Sequence, residues 1–136
     1  NTAEGFKHAQ LNGCLNFELD VQLTKDLKLI VLHDKNLKRT TGFSGAVHKI
    51  DYAELKVLDA RLNTPGWPSP CRIPLLKEVI DAAPATLSWQ LEVKPPRKNT
   101  PKLLSDKLAE FIISNKLSTK VTVTSSSQSF IKLFIH

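Results

Sequence analysis

The chain has 136 residues, 41% of them apolar and 24% charged, with 19 basic against 13 acidic side chains and a net charge of +6. A composition this close to the globular norm, in a length of one domain or part of one, excludes a disordered chain, a collagen-like chain and several independent domains. Two cysteines are too few for a disulfide scaffold, and no apolar run approaches the ~18–20 residues that span a bilayer, so no transmembrane segment is expected in this stretch.

From Thr2 to Leu11, Ala3, Phe6, Ala9 and Leu11 recur at roughly helical spacing, which predicts an amphipathic helix that starts before residue 1 and stops at Asn12-Gly13. Leu15, Phe17, Leu19 and Val21 then alternate with Asn16, Glu18, Asp20 and Gln22, a strand with one apolar and one acidic face. Cys14, at its edge, is expected to be a small buried residue. Thr24-Lys25-Asp26 reads as a turn, and Leu27 to Leu32 as a short buried strand that delivers His33-Asp34 at its C-terminal end. Asn36 to Lys49 is loop-rich, after which Asp51 is expected to N-cap a helical pattern carrying Ala53, Leu55 and Leu58. Asn63 to Cys71, with three prolines, is an irregular connection. Pro74 stands at the first position expected for a helix from Leu75 to Ala83, which Pro84 ends. Leu87, Trp89, Leu91 and Val93 alternate with Ser88, Gln90 and Glu92 in a second strand of the same kind. Pro101 to Leu117 predicts a helix, Lys120 to Thr124 a β-branched strand, and Phe130 to Ile135 the start of another helix.

Strands alternating with helices predict an α/β chain of right-handed units on a parallel sheet. A complete (β/α)8 barrel takes about 250 residues. The expected fold is therefore a partial TIM-type barrel, roughly the first half, with a loop and helix insertion and open sheet edges prone to aggregation or dimerisation. No Met occurs in the chain, which suits a processed protein or a segment of a longer one, and the segment reading is favoured. The opening residues lack the pattern of a secretory leader, and nothing assigns a compartment or an oligomeric state. An open doubly wound sheet is the structural alternative, yet the chain has no glycine-rich phosphate loop.

Glu18 and Asp20 stand two apart on a strand, so both carboxylates project from one face. Glu92 repeats the arrangement on a later strand, with Lys94 as its neighbour on the same face. If the two strands are parallel members of one barrel, three carboxylates near their C-terminal ends converge on a hard-metal site of the kind calcium or magnesium takes. His33 emerges at a strand end, where a β/α barrel keeps catalytic groups, and an imidazole moves protons near neutrality. His8, His48 and His136 have no comparable context and are read as structural. The densest basic cluster, Lys94 to Lys98, has no aromatic residues interleaved, so no nucleic-acid partner is expected.

The motifs Gly13-Cys14-x-x-Phe17-Glu18-Leu19-Asp20-Val21-x-x-Thr24-Lys25-Asp26, Val31-Leu32-His33-Asp34, Leu37-x-Arg39-Thr40-Thr41, Ile73-Pro74-x-Leu76 and Leu91-Glu92-Val93-Lys94 together resemble the glycerophosphodiester phosphodiesterase family in order and spacing. The resemblance covers almost the whole chain. It implies a β/α barrel that hydrolyses glycerophosphodiesters to glycerol 3-phosphate and an alcohol with a divalent cation. It further implies Glu18, Asp20 and Glu92 as metal ligands, His33 as one of two acid/base histidines, Lys94 as a phosphate contact and residues 42–72 as the family's inserted segment. Asn1-Thr2 looks like the end of the family's Pro-Glu-Asn-Thr motif, which puts the other catalytic histidine outside this sequence. Leu27 stands where the family usually has Gly, so that turn is expected to be built differently. Two other readings stand beside it: hydrolysis of lysophospholipids, as by a lysophospholipase D or sphingomyelinase-type relative, and an inactive metal- or phosphate-binding fragment.

Overall fold

The computed structural model describes residues 1–64, 66–94 and 101–135. Of the positions singled out above, Pro65, Lys98 and His136 lie outside the described residues. Helix α1 (Ala3–Leu11) opens the chain and β1 (Asn16–Leu23) follows it. The helix does not run in from before residue 1: Thr2 is extended and its hydroxyl accepts from the Gly5 amide, which caps the first turn. Gly13 then takes a φ of +91°, the left-handed turn at which the helix stops. Cys14 is exposed, contrary to expectation, because it lies in the connection before β1 begins to pair at Asn16.

β2 (Leu29–Val31) lies beside β1, and the sheet continues through β3 (Ser88–Val93) and β4 (Val121–Thr124) in the order β2-β1-β3-β4. β1, β3 and β4 are parallel as predicted, whereas β2 is antiparallel to β1. The turn between them is too short for a crossover, and a short turn joins only antiparallel strands. The Leu27 amide donates to the Thr24 carbonyl at 3.1 Å, the Thr24 amide to the Lys28 carbonyl, and the Thr24 hydroxyl to Asp26 Oδ1 at 2.6 Å. Leu27 adopts a φ of +63°, so the turn keeps the left-handed geometry that glycine favours and Leu27 bears the strain.

Between β2 and β3 lie α2 (Lys38–Thr41), a 3₁₀ turn (Val47–Lys49), α3 (Tyr52–Leu55) and α4 (Leu76–Ala82). Asp51 occupies the N-cap position of α3 without a side-chain cap; its carboxylate pairs with Lys25, and Asp26 Oδ1 accepts from the Tyr52 amide instead. α4 begins two residues after Pro74 rather than at it. Glu78 Oε2 accepts from the Leu75 amide at 2.7 Å and fixes that start. α5 (Pro101–Ser114) and α6 (Gln128–Ile135) pack against each other.

Odd positions of β1 and β3, namely Leu19, Val21, Leu23, Trp89, Leu91 and Val93, join Phe6, Leu76, Leu104, Leu108 and Phe130 in one core between sheet and helices. A second core of Ile30, Leu32, Leu37, Val47, Leu55 and Ile73 lies under the segment between β2 and α4. Even positions of β1 and β3 therefore face away from the helices. Asp20 and Gln22 are nevertheless buried. Among the described residues no helix is long and apolar enough to cross a membrane.

Candidate active site

Parallel register sets Asp20 level with Glu92 and Glu18 level with Gln90. Alternation puts Glu18 on the same face two residues earlier, and one carboxylate oxygen from each of Glu18, Asp20 and Glu92 lies within 4.8 Å of the other two. Asp20 is only 3% exposed. Its Oδ2 accepts from Asn1 Nδ2 at 2.7 Å, and its backbone amide donates to Asn1 Oδ1, so one amide side chain holds both ends of the residue. The other oxygen, Oδ1, is buried and has no hydrogen bond among the described residues. Lys94 Nζ lies 3.0 Å from it, paired by charge but not aligned as a hydrogen bond, and donates to Glu92 Oε1.

Three carboxylates facing one ammonium leave an excess of negative charge. Burial, then Asp20 and Glu92, push the Glu18 carboxyl above its ordinary value, with Lys94 opposing. Burial lowers the Lys94 ammonium, but the hydrogen bond to Glu92 and the charges of Asp20 and Glu92 outweigh it and leave the group raised. An all-oxygen donor set of three carboxylates, more negative than the one lysine offsets, fits a hard divalent cation.

His33 follows directly. The Leu32 amide donates to the Asp20 carbonyl at 3.0 Å, which brings the end of the hairpin alongside the carboxylates. Gln22, 5% exposed, extends its amide beneath this turn and donates to the carbonyls of Leu32, His33 and Asp34 at 2.6, 3.3 and 2.9 Å. His33 Nδ1 is 2.7 Å from Asp34 Oδ1, which leaves Nε2 outside that pair, on a ring that is 61% exposed. Hydrogen bonds from Arg39, then His33, hold the Asp34 carboxyl at about 2. A cavity of about 310 Å³ is lined by His33, Asn1, Arg39, Ala60, Arg61 and Trp67 among others. The five residues that the sequence nominates are thus brought together, four in one cluster and His33 beside it.

A family model for the glycerophosphoryl diester phosphodiesterase family matches residues 1–133. The chain belongs to that family. A glycerophosphodiester phosphodiesterase of Bacillus altitudinis is 36% identical over 136 residues, which cover 98% of this chain and 55% of the relative. A rat protein, lysophospholipase D GDPD1, is 42% identical over 93 residues, 63% of this chain and 29% of that protein. The solved structure of an Oleispira antarctica phosphodiesterase in complex with the product sn-glycerol-3-phosphate matches with a TM-score of 0.87 and 26% identity over 98% of this chain and 54% of that one. A glycerophosphodiester phosphodiesterase of Agrobacterium tumefaciens matches with a TM-score of 0.81 and 25% identity, covering 98% and 55%. The chain spans about half the length of the Bacillus, Oleispira and Agrobacterium proteins and less of the rat one, and its fold is the corresponding part of a TIM-type barrel.

Within this phosphodiesterase frame, four residues at the site were not nominated from the sequence. Asn1 fixes Asp20, and Gln22 continues the polar stripe Glu18-Asp20-Gln22, a signal that was available in the alternation. Arg39 grips Asp34 with Nε and Nη2. Thr124 pairs in register with Glu92, and its hydroxyl is buried with no hydrogen-bond partner among the described residues, at the same level as Asp20 and Glu92. His8 packs edge-on against Trp67 with centroids 5.3 Å apart.

Proposed function

We propose that the whole protein hydrolyses glycerophosphodiesters such as glycerophosphocholine to glycerol 3-phosphate and an alcohol, with a divalent cation, calcium or magnesium, held by Glu18, Asp20 and Glu92. The observation that carries this reading is the convergence of three carboxylate oxygens, from Glu18, buried Asp20 and Glu92, within 4.8 Å of one another, with the backbone of Asp20 bonded to the residue before a strand-end histidine. When bound, the cation supplies neutralisation of phosphoryl oxygens and polarises phosphorus. Lys94, already among the carboxylates, offers an ammonium to a further phosphate oxygen. The substrate's own glycerol hydroxyl attacks phosphorus and displaces the alcohol as a cyclic phosphate forms, which water then opens. His33 exchanges a proton at Nε2 as one of the two acid/base histidines that the family motif implies, while Asp34 holds Nδ1. Residues 42–72 act as the inserted segment that covers the substrate.

His33→Ala in the whole protein should lower turnover at least ~10²-fold, the low end for loss of a general acid or base. Unchanged hydrolysis of glycerophosphocholine by that variant would defeat the assignment. The 42% identity to lysophospholipase D GDPD1 favours a second reading, in which the same carboxylates and His33 act on a lysophospholipid. Competition between lysophosphatidylcholine and glycerophosphocholine for the wild-type protein separates the two.

A further inference from the structure

Arg39 reaches Asp34 from α2 through two contacts, Nε to Oδ2 at 2.6 Å and Nη2 to Oδ1 at 2.9 Å, and the same Oδ1 meets His33 Nδ1. A planar guanidinium gripping both oxygens of one carboxylate fixes its plane, and so fixes the direction from which it meets the imidazole. That restraint matters for a ring as exposed as His33, which packing alone does not hold. The backbone of α2 is in turn tied to residues further along the chain: Asn63 Nδ2 donates to the Arg39 carbonyl at 2.7 Å, and the Leu62 amide donates to the Thr40 carbonyl at 3.0 Å. These residues adjoin Ala60 and Arg61, which wall the cavity beside His33 together with Arg39 and Thr40 themselves.

We propose that Arg39 is a positioning residue that transmits the seating of the 60–64 stretch, through Asp34, to the orientation of His33. A substrate arm that fills the cavity and presses on Ala60 and Arg61 thereby also sets the ring that moves the proton. The inference rests on the reading of His33 as an acid/base group. Exposed ion pairs contribute little to fold stability, so the contact can be removed without unfolding the protein.

The test uses the whole protein with Arg39→Gln, Arg39→Lys and Asn63→Ala, and Lys38→Gln as a charge control on the same helix. Arg39→Gln should lower kcat ~10- to 100-fold with KM changed by less than about 2-fold, the usual consequence of loosening a group that orients a reacting side chain. Arg39→Lys keeps the charge but not the fork and should recover only a minor part of the loss. Asn63→Ala should lower kcat in the same direction by a smaller factor, and Lys38→Gln should match wild type. Imidazole ¹⁵N spectra should show one tautomer of His33 in wild type and a mixture of two in Arg39→Gln. Wild-type kcat and an unchanged His33 spectrum in Arg39→Gln, in a protein that His33→Ala inactivates, overturn this inference alone. Full activity of His33→Ala overturns the catalytic reading beneath it.

Discussion

Glu18→Gln should make the protein more stable without a cation and less stable with one. In wild type, Glu18, Asp20 and Glu92 each bring an oxygen within 4.8 Å of the others. At that separation two unit charges repel by ~3.5 kcal/mol at an effective dielectric of about 20 and by ~0.9 kcal/mol in bulk water. Two such repulsions act on Glu18, Lys94 offsets part of them, and the Glu18 side chain is open to solvent, so the low end applies: removing its charge should stabilise the cation-free protein by about 1 kcal/mol. For a domain of about 150–250 residues that is a rise of roughly 2–4 °C in Tm. A divalent cation at ~100 times its Kd stabilises wild type by ~2.7 kcal/mol, whereas a variant bound ~100-fold more weakly gains only ~0.4 kcal/mol at the same concentration. The order of melting temperatures should therefore reverse between chelator and excess magnesium or calcium. Thermal melts of both proteins under both conditions provide the assay. If Glu18→Gln melts no higher than wild type in chelator, the carboxylates do not strain the fold; if the cation raises both proteins equally, Glu18 is not a ligand.

Leu27→Gly relieves a left-handed residue at a cost in chain entropy, and the difference between ~1–2 and ~0.5–1 kcal/mol leaves a net gain of about 0.5–1 kcal/mol, seen as a higher urea midpoint. A midpoint at or below wild type would show that the turn does not strain Leu27. Gln22→Met leaves three carbonyls without their donor and should cost ~1–3 kcal/mol, with faster amide exchange across residues 32–34; unchanged exchange would mean that water replaces the side chain. Asp34 is held at about 2 against an ordinary 3.8, so its ionised form contributes stability that is fully present above about pH 4 and is lost as pH falls toward 2. The fall in its pKa amounts to ~2.5 kcal/mol at most, and solvent screening of a pair with exposed His33 and Arg39 reduces that to about 1 kcal/mol. The stability difference between wild type and Asp34→Asn, followed by urea melts, should shrink over that pH range. A constant difference would sever the stability from the charge.

Much of the site was legible because strand parity is local. Glu18 and Asp20 share a face for the same reason that Leu19 and Val21 share the other, and that rule needs only neighbours in sequence. What parity cannot supply is register between segments some 70 residues apart, and the pairing of Asp20 with Glu92 turns two acidic stripes into one cluster. α2, four residues long, is too short to show a helical period, so the helix that carries Arg39 left no pattern to read. Leu27 marks the opposite failure. Its residue type argues against a left-handed turn, but the antiparallel pairing of Val21–Leu23 with Leu29–Val31 fixes both ends of the hairpin, and the turn geometry follows from closure rather than from preference. That closure also carries the chemistry. Only a strand that doubles back returns the chain from Leu23 to the level of Asp20, where Leu32 bonds to its carbonyl and the next residue is His33. The antiparallel strand that departs from the regular β/α order is therefore the element that sets an imidazole beside the carboxylates, and the strain at Leu27 is the local consequence of that placement.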